Sequence, residues 1–313
     1  MNEPRRLLFI TLSNIGDLVM TTPLLEALHL SYPEHLIDIV GDRRSSDLLQ
    51  PCPYRGRLIH KEKNAGLAGT WELVRSLRMY PYDVAVDLRT AFLTLLIRCG
   101  QRGFKRRGTS AGAHAVQHHF TALGAILGPH IEIPSPRLWL DPAASAEASL
   151  LLSELPRERR LVVAPGANWP GKIWPIDRYA ALIDRLDSDF DSVIVVGSSE
   201  DHELGQRLMQ SAALPMVNLT GRTSLLEVAA CMAGASAFVG NDSGLGHMAA
   251  ALNIPTLTVF GPGGRPHRYR PWGSRATIVI APEEDLAKLK SAEVASALRS
   301  HLATDAVTPD AAG

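Results

Sequence analysis

Four short stretches of the chain join the end of an apolar run to glycines and an isolated charged side chain. SNIGDLVMTTP (residues 13–23) follows the run LLFITL and opens a helical pattern. Gly16 permits a tight turn there. Asp17 falls at or near the helix N-terminus, where a carboxylate either caps the helix or faces a ligand as a proton acceptor. PGANWPGKIWP (165–175) sets Lys172 between Trp169 and Trp174. Residues 166–172 spell G-x-x-x-x-G-K, the opening of a phosphate-binding P-loop. Ile173 supplies no hydroxyl for Mg²⁺, however, and Pro170 and Pro175 interrupt the loop-to-helix continuation that motif needs. Lys172 is therefore read as a phosphate contact through another geometry, or as a solvated lysine.

VGNDSGLGHMAAAL (239–252) ends a strand pattern, turns at Asn-Asp-Ser and enters an Ala-rich helix. Backbone N–H groups of residues 243–246, with the helix dipole behind them, make a site for a diphosphate, and Gly244 and Gly246 let that backbone approach closely. A carboxylate there would repel phosphate, so Asp242 is expected to cap the helix or to bind sugar hydroxyls. His247 either donates to an oxygen anion or sits on the helix surface. FGPGGRPHRYRPWG (260–273) is a Gly/Pro loop with Arg265, Arg268 and Arg270, placed by its neighbour to close the same site.

Two further signals stay open. RCGQRGFKRRG (98–108), with Arg98, Arg102, Lys105 and Arg106, either meets an anionic acceptor or lipid surface or is a solvated loop. His114, His118 and His119 include an i, i+4 pair, but no acidic or cysteine partner lies near in sequence, which argues against a metal. No G-x-S-x-G stands at a strand end, and no G-x-G-x-x-G follows the first one.

These segments need elements to position them. Short Val/Ile-rich runs without clean alternation recur at 7–12, 36–40, 57–61 and 83–88. They recur again at 161–165, 192–197, 216–221, 237–240 and 256–261. Helical patterns lie between them at 18–31, 70–80, 114–127, 177–186, 204–212, 225–233 and 246–252. Strands buried on both faces and joined by helices imply α/β architecture with parallel sheets. The series restarts near residue 160, after a polar, Ala-rich helical stretch ending at Pro156, and 313 residues suit two such domains. A last helical pattern, 285–302, has no strand after it, and the tail from 303 carries no core-forming residues.

Composition narrows the functional classes. Lys plus Arg and Asp plus Glu are both 32, so global affinity for nucleic acid is not expected and anion binding must be local. Cys52, Cys99 and Cys231 are odd in number and far apart, which fits a reducing compartment. The N-terminal apolar run breaks at Ser13 and Asn14, so it reads as a buried first strand rather than a signal peptide. No apolar stretch approaches the ~20 residues of a membrane span.

The four motifs in this order resemble the heptosyltransferases of glycosyltransferase family 9, which build the lipopolysaccharide inner core. The carriers are G-D-x5-P from Gly16 to Pro23, K-x-W-P from Lys172 to Pro175, the run 241–252, and Phe-Gly-Pro at 260–262. The resemblance implies a GT-B fold, two facing Rossmann-like domains with parallel sheets: an acceptor-binding domain over 1–155 and a nucleotide-sugar domain over 156–284. A C-terminal helix over 285–303 is expected to pack back toward the first domain, with a disordered tail over 304–313. The implied reaction is inverting, metal-independent transfer of a heptose from ADP-heptose, with no cofactor beyond that donor.

By the same resemblance Asp17 takes the place of the catalytic base and Lys172 that of the phosphate-binding lysine. Asn168, Asp242, Ser243, Gly244, Leu245 and His247 fall in the donor set. Glu227 falls near the nucleotide-binding acid. Arg98, Arg102, Lys105 and Arg106 are the candidates for holding an anionic glycolipid acceptor. The sequence departs after Gly-Pro, where the family has Thr or Ser and this chain has Gly263, Gly264 and an extra residue, which leaves the exact donor open. The implied location is cytoplasmic, with peripheral contact at the inner-membrane face left open, and no nucleic acid partner. Two alternatives remain: a GT-B sugar-nucleotide epimerase, which would need a second acid or base, and a nucleotide-sugar-binding protein without turnover.

Overall fold

The computed structural model describes residues 4–61, 66–90, 92–105, 113–129, 131–211, 213–261 and 263–307. They fall into two units, Met1–Trp139 and Leu140–Gly313.

In the first unit β1 (Arg6–Ile10), β2 (Leu36–Gly41), β3 (Arg55–His60), β4 (Tyr82–Asp87) and β5 (Cys99–Phe104) form one parallel sheet in the order β3-β2-β1-β4-β5. Its helices are α1 (Ile15–Val19), α2 (Thr22–Ser31), α3 (Arg43–Ser46), α4 (Gly66–Leu77), α5 (Ala115–Phe120) and α6 (Gly124–Leu127). Leu7, Leu8, Phe9, Val84, Ala85 and Val86 are all buried, as strands covered on both faces require.

The single helix expected over 18–31 is two. The Thr21 hydroxyl donates to Leu18 O at 2.7 Å and that of Thr22 to Val19 O at 2.9 Å, and Pro23 restarts the helix in its first turn. The pattern at 114–127 likewise divides into α5 and α6. The segment weighed as a solvated loop from Arg98 supplies the edge strand β5 instead. Its glycines hide the strand signal because they serve close approach: a Cβ on Gly100 would lie 2.8 Å from Asp83 O, and one on Gly103 2.3 Å from Ala122 O.

At the amino end of this sheet the carboxylate of Asp38, fully buried on β2, is gripped from three other strands, β1, β3 and β4. It accepts from Arg6 Nη1 at 2.7 Å, from Arg57 N and Nε at 2.8 Å each, and from the Tyr82 hydroxyl at 3.0 Å. The Tyr80 ring lies against both guanidinium groups, 4.4 Å from that of Arg6 and 4.6 Å from that of Arg57.

In the second unit β6 (Arg160–Ala164), β7 (Ser192–Val195), β8 (Met216–Asn218), β9 (Ala237–Asn241), β10 (Thr256–Phe260) and β11 (Ala276–Ile280) form a parallel sheet in the order β11-β10-β9-β6-β7-β8. Its helices are α7 (Pro142–Leu151), α8 (Ile176–Arg185), α9 (His202–Ser211), α10 (Leu225–Met232), α11 (Gly244–Ala251), α12 (Pro266–Tyr269) and α13 (Ser291–Val307). The edge strand β11 was not anticipated.

Two boundaries differ from expectation. The Ala-rich helix α7 packs on α10, so the division falls before it rather than at 155/156. The final helix, α13, runs five residues beyond the expected end of its pattern, into what read as a disordered tail. Asp305 holds it there by accepting from Arg275 Nε at 2.8 Å. Residues 308–313 of that tail lie outside the described residues. Val294, Ala295 and Leu298 of α13 are buried in the second unit's own core, with Leu182, Ile183 and Leu186 of the α8 region. Among the described residues no helix is long and apolar enough to cross a membrane.

Both sheets are α/β, fully parallel and Rossmann-like, the class the sequence implied. In each the strand order reverses beside the first strand: between β1 and β4 in one unit, and between β6 and β9 in the other. Crevices at the carboxyl ends of such strand pairs are where open α/β sheets bind ligands.

Candidate functional site

At the switch point of the second unit two chain segments leave the sheet side by side. After β6 the chain runs through an exposed Asn168 and Trp169 into a single 3₁₀ turn, Pro170–Lys172, and then extends at Ile173 before α8 begins. This is not P-loop geometry, because no helix grows from the lysine. After β9 come Asp242 and Ser243, and Ser243 is the N-cap of α11. Lys172 Nζ donates to Asp242 Oδ2 at 2.5 Å, with the two side chains 27% and 13% exposed. Asp242 is thus a counter-ion and not the helix cap. The pair stands next to the first N–H groups of α11, which have no intrahelical partners of their own.

One buried side chain sets this spacing. Asn241, the last residue of β9, accepts at Oδ1 from Trp174 N at 3.1 Å and from the Tyr179 hydroxyl at 3.0 Å. Its Nδ2 donates to Pro165 O at 2.7 Å and Gly166 O at 3.4 Å. The amide therefore uses both its donor and its acceptor ends to tie the lysine-bearing segment to the strand that delivers Asp242. Trp174 Nε1 donates onward to Leu289 O at 3.1 Å. Around α11, Ser243 makes no side-chain cap, and its buried hydroxyl oxygen has no partner. His247 is buried in the first turns of the helix rather than on its surface. A Cβ on Gly246 would lie 3.0 Å from Thr258 Oγ1, so this glycine lets α11 sit close on β10.

At the switch point of the first unit, Asn14 is the N-cap of α1 and Asp17 its third helical residue. Asn14 makes no side-chain cap. Its Nδ2 instead donates to Asp17 Oδ2 at 3.0 Å. Asp17 is half-buried, so its carboxylate is steered by a neighbour and not consumed in capping the backbone. The adjoining strand ends carry charges as well. Asp42, after β2, takes a two-pronged contact from Arg44 Nε and Nη2, both at 3.0 Å. The Arg44 hydrogen bond holds its carboxyl down to about 2. Asp87, ending β4, accepts from Arg89 N at 2.9 Å and Thr90 N at 2.7 Å. Lys61, after β3, is pushed below the usual lysine range, first by burial and then by Arg89. Beneath α1, His119 is buried and held down to about 3, mainly by desolvation, with Lys105 and His118 adding to the effect.

Glycosyltransferase family 9 (heptosyltransferase) matches residues 70–298 of this chain. Lipopolysaccharide heptosyltransferase 2 of Salmonella typhimurium is 31% identical over 288 residues, 82% of this chain and 83% of that protein. The chain belongs to glycosyltransferase family 9. Another family 9 relative, lipooligosaccharide heptosyltransferase 2 of Haemophilus influenzae, is 30% identical over 324 residues, 92% of each protein. The solved ADP-heptose LPS heptosyltransferase II of Escherichia coli shares the fold, with TM-score 0.80, 24% identity, and 96% of this chain and 99% of that one covered. As a family member the chain is a glycosyltransferase.

The residues singled out in this family 9 chain are distributed unevenly. Lys172, Asp242, Ser243, Gly244, Leu245 and His247 gather at one switch point, and Asp17 stands at the other. Glu227 lies in the first turn of α10, the helix after β8, two strands from β6. There it closes a capping box at the start of α10, Oε2 accepting from Ser224 N at 2.7 Å. Among its described residues the basic stretch does not form a patch. Arg98 precedes β5 at the amino edge of the sheet, whereas Lys105 follows it at the carboxyl edge, and a six-residue strand spans ~20 Å. Arg102 spends its guanidinium on Thr94 O at 3.0 Å and Ile97 O at 3.4 Å. Arg106 lies outside the described residues, as does Pro262 of the Phe-Gly-Pro motif. Asn241, Asp42 and Asp87 were not singled out. The available signal was shared: each is a side-chain amide or carboxylate at or just past the end of an apolar strand.

Proposed function

We propose that this glycosyltransferase moves a heptose from ADP-heptose to a lipopolysaccharide core acceptor, with inversion and without a metal ion. The observation that carries the reading is the Lys172–Asp242 pair held beside the start of α11 at the switch point of a parallel sheet. The names of the heptosyltransferases it resembles supply the donor and acceptor class. In this mechanism the diphosphate takes up Lys172 Nζ and the open N–H groups of α11, and Asp242 turns to sugar hydroxyls. The acceptor hydroxyl attacks the anomeric carbon from the face opposite the diphosphate. The C–O bond to the diphosphate breaks, ADP departs with its charge met by lysine and helix amides, and Asp17 receives the acceptor proton. Neutralising charge with fixed cations and N–H groups is what would make a divalent cation unnecessary. The reading extends to a cytoplasmic enzyme in peripheral contact with the inner-membrane face, with Lys105, at the carboxyl edge of the first sheet, as an acceptor-side cation.

The test is a calorimetric panel of ADP-, UDP- and GDP-sugars, followed by transfer to deacylated inner-core acceptors in EDTA. ADP-heptose should bind most tightly and be transferred in chelator. Tighter binding of another nucleotide-sugar would replace the donor, and activity restored only by Mn²⁺ would overturn the metal-free mechanism.

A further inference from the structure

We propose that Trp169 is the platform on which the donor's sugar ring stacks, and so a specificity-determining residue of the transfer reaction; this rests on the donor-site reading above. The indole is 50% exposed although it is a large apolar group in a unit whose other landmark tryptophan, Trp174, is fully buried. Its backbone opens the turn that carries Lys172: Lys172 N donates to Trp169 O at 2.9 Å. The ring is laid flat by glycines from two different strand ends. A Cβ on Gly171, in the same turn, would stand 2.5 to 2.8 Å from the ring atoms Cη2, Cζ2 and Cζ3. A Cβ on Gly263, in the loop after β10, would be 3.7 Å from Cζ3. Gly263 has φ +71, a conformation side chains disfavour, so that flank stays bare.

A half-exposed indole in the same turn as a cation paired with a carboxylate has the makings of a carbohydrate site. The apolar C–H face of a pyranose packs on the electron-rich ring face, while charged neighbours take its phosphate and hydroxyls. The ring is assigned to the sugar because it opens the turn that carries Lys172 and reaches Gly263 of the loop after β10, whereas the loops after β7 and β8 lie on the other side of β6.

The experiment titrates the wild-type chain, Trp169→Ala and Trp169→Phe with ADP-heptose and with ADP alone, alongside donor KM and kcat. Trp169→Ala should weaken ADP-heptose by about 3- to 10-fold and raise donor KM, while ADP binds as before and the melting temperature holds. Trp169→Phe should restore most of the loss. Equal weakening of ADP and ADP-heptose would give the ring to the base, and unchanged ADP-heptose affinity would make it a bystander; either result overturns the proposal. A wild-type chain that binds neither compound would overturn the donor reading itself, and this inference with it.

Discussion

Changing Asn241 to Asp should uncouple the donor site from an otherwise intact fold. The side chain is fully buried and keeps the same shape in the variant. Its acceptor end survives, so Trp174 N and the Tyr179 hydroxyl keep their partner. Its donor end does not. Pro165 O, 2.7 Å from Nδ2, would then face a carboxylate oxygen instead of an N–H. Leaving one buried carbonyl unpaired costs about 1–3 kcal/mol, and oxygen–oxygen repulsion adds to it. The strain can be relieved by moving the 165–172 segment outward, which separates Lys172 from Asp242. Donor affinity should fall about tenfold or more, the equivalent of ~1.4 kcal/mol. The pH dependence gives a second handle. The new carboxyl meets a carbonyl, so its folded pKa is raised above the unfolded value near 3.9. Its penalty is therefore present at neutral pH and shrinks as pH falls through that raised value, where the protonated acid donates to Pro165 O again. Urea melts and donor titrations at pH 7 and pH 5 would measure both effects. A variant with wild-type stability and donor affinity at pH 7 would refute the positioning role.

Three other outcomes are expected. Asp17→Asn keeps an acceptor for Asn14 Nδ2, so donor affinity and melting temperature should hold while kcat drops about 10²- to 10⁴-fold; full activity would remove Asp17 as the base. Lys172→Ala should weaken ADP and ADP-heptose alike by ~1.5–3 kcal/mol, read by calorimetry, and unchanged affinities would leave it a counter-ion of Asp242 and nothing more. His119, held neutral at about 3 in the fold, binds a proton near 6.5 only when unfolded, so it costs no stability above that pH. Stability should fall by ~1.4 kcal/mol per unit as pH drops from there toward 3, reaching about 2 kcal/mol at pH 5. His119→Leu should flatten that slope in chemical denaturation, and an unchanged slope would place the acid sensitivity elsewhere.

The sequence carried every central strand, and of the four described edge strands it showed β3 and β8 and missed β5 and β11. Runs such as LVVA and AFVG are apolar because both faces are covered, and that pattern survives in a one-dimensional reading. β5 reads CGQRGF because an edge strand needs only one good neighbour, and its glycines answer to backbone atoms of Asp83 and Ala122 that only the fold brings near. The same divide runs through the site. Asp17, Lys172 and Asp242 stand out as lone charges among glycines after strand runs. Asn241 looks like an ordinary turn former in Asn-Asp-Ser, since its partners lie between 62 and 76 residues away. Arg102 looks like a free cation until the carbonyls of Thr94 and Ile97 are found beneath it. Asp305 looks like tail because a single ion pair, not an apolar stripe, holds that turn of helix.

The gripped carboxylate of Asp38 acts as a proofreading device for strand alignment. Sliding β2 by one residue would turn Asp38 to the opposite face and strand an ionised group in hydrocarbon, while Arg6 and Arg57 would lose their shared acceptor. Uncompensated buried charge costs several kcal/mol, a substantial share of a domain's net stability. A misaligned sheet is thus penalised at its amino end, far from the strand termini that carry Asp17, Asp42 and Asp87. Substitutions at those termini can accumulate without loosening the alignment of the strands that present them, so the ligand edge can diversify on a frame whose register is checked elsewhere.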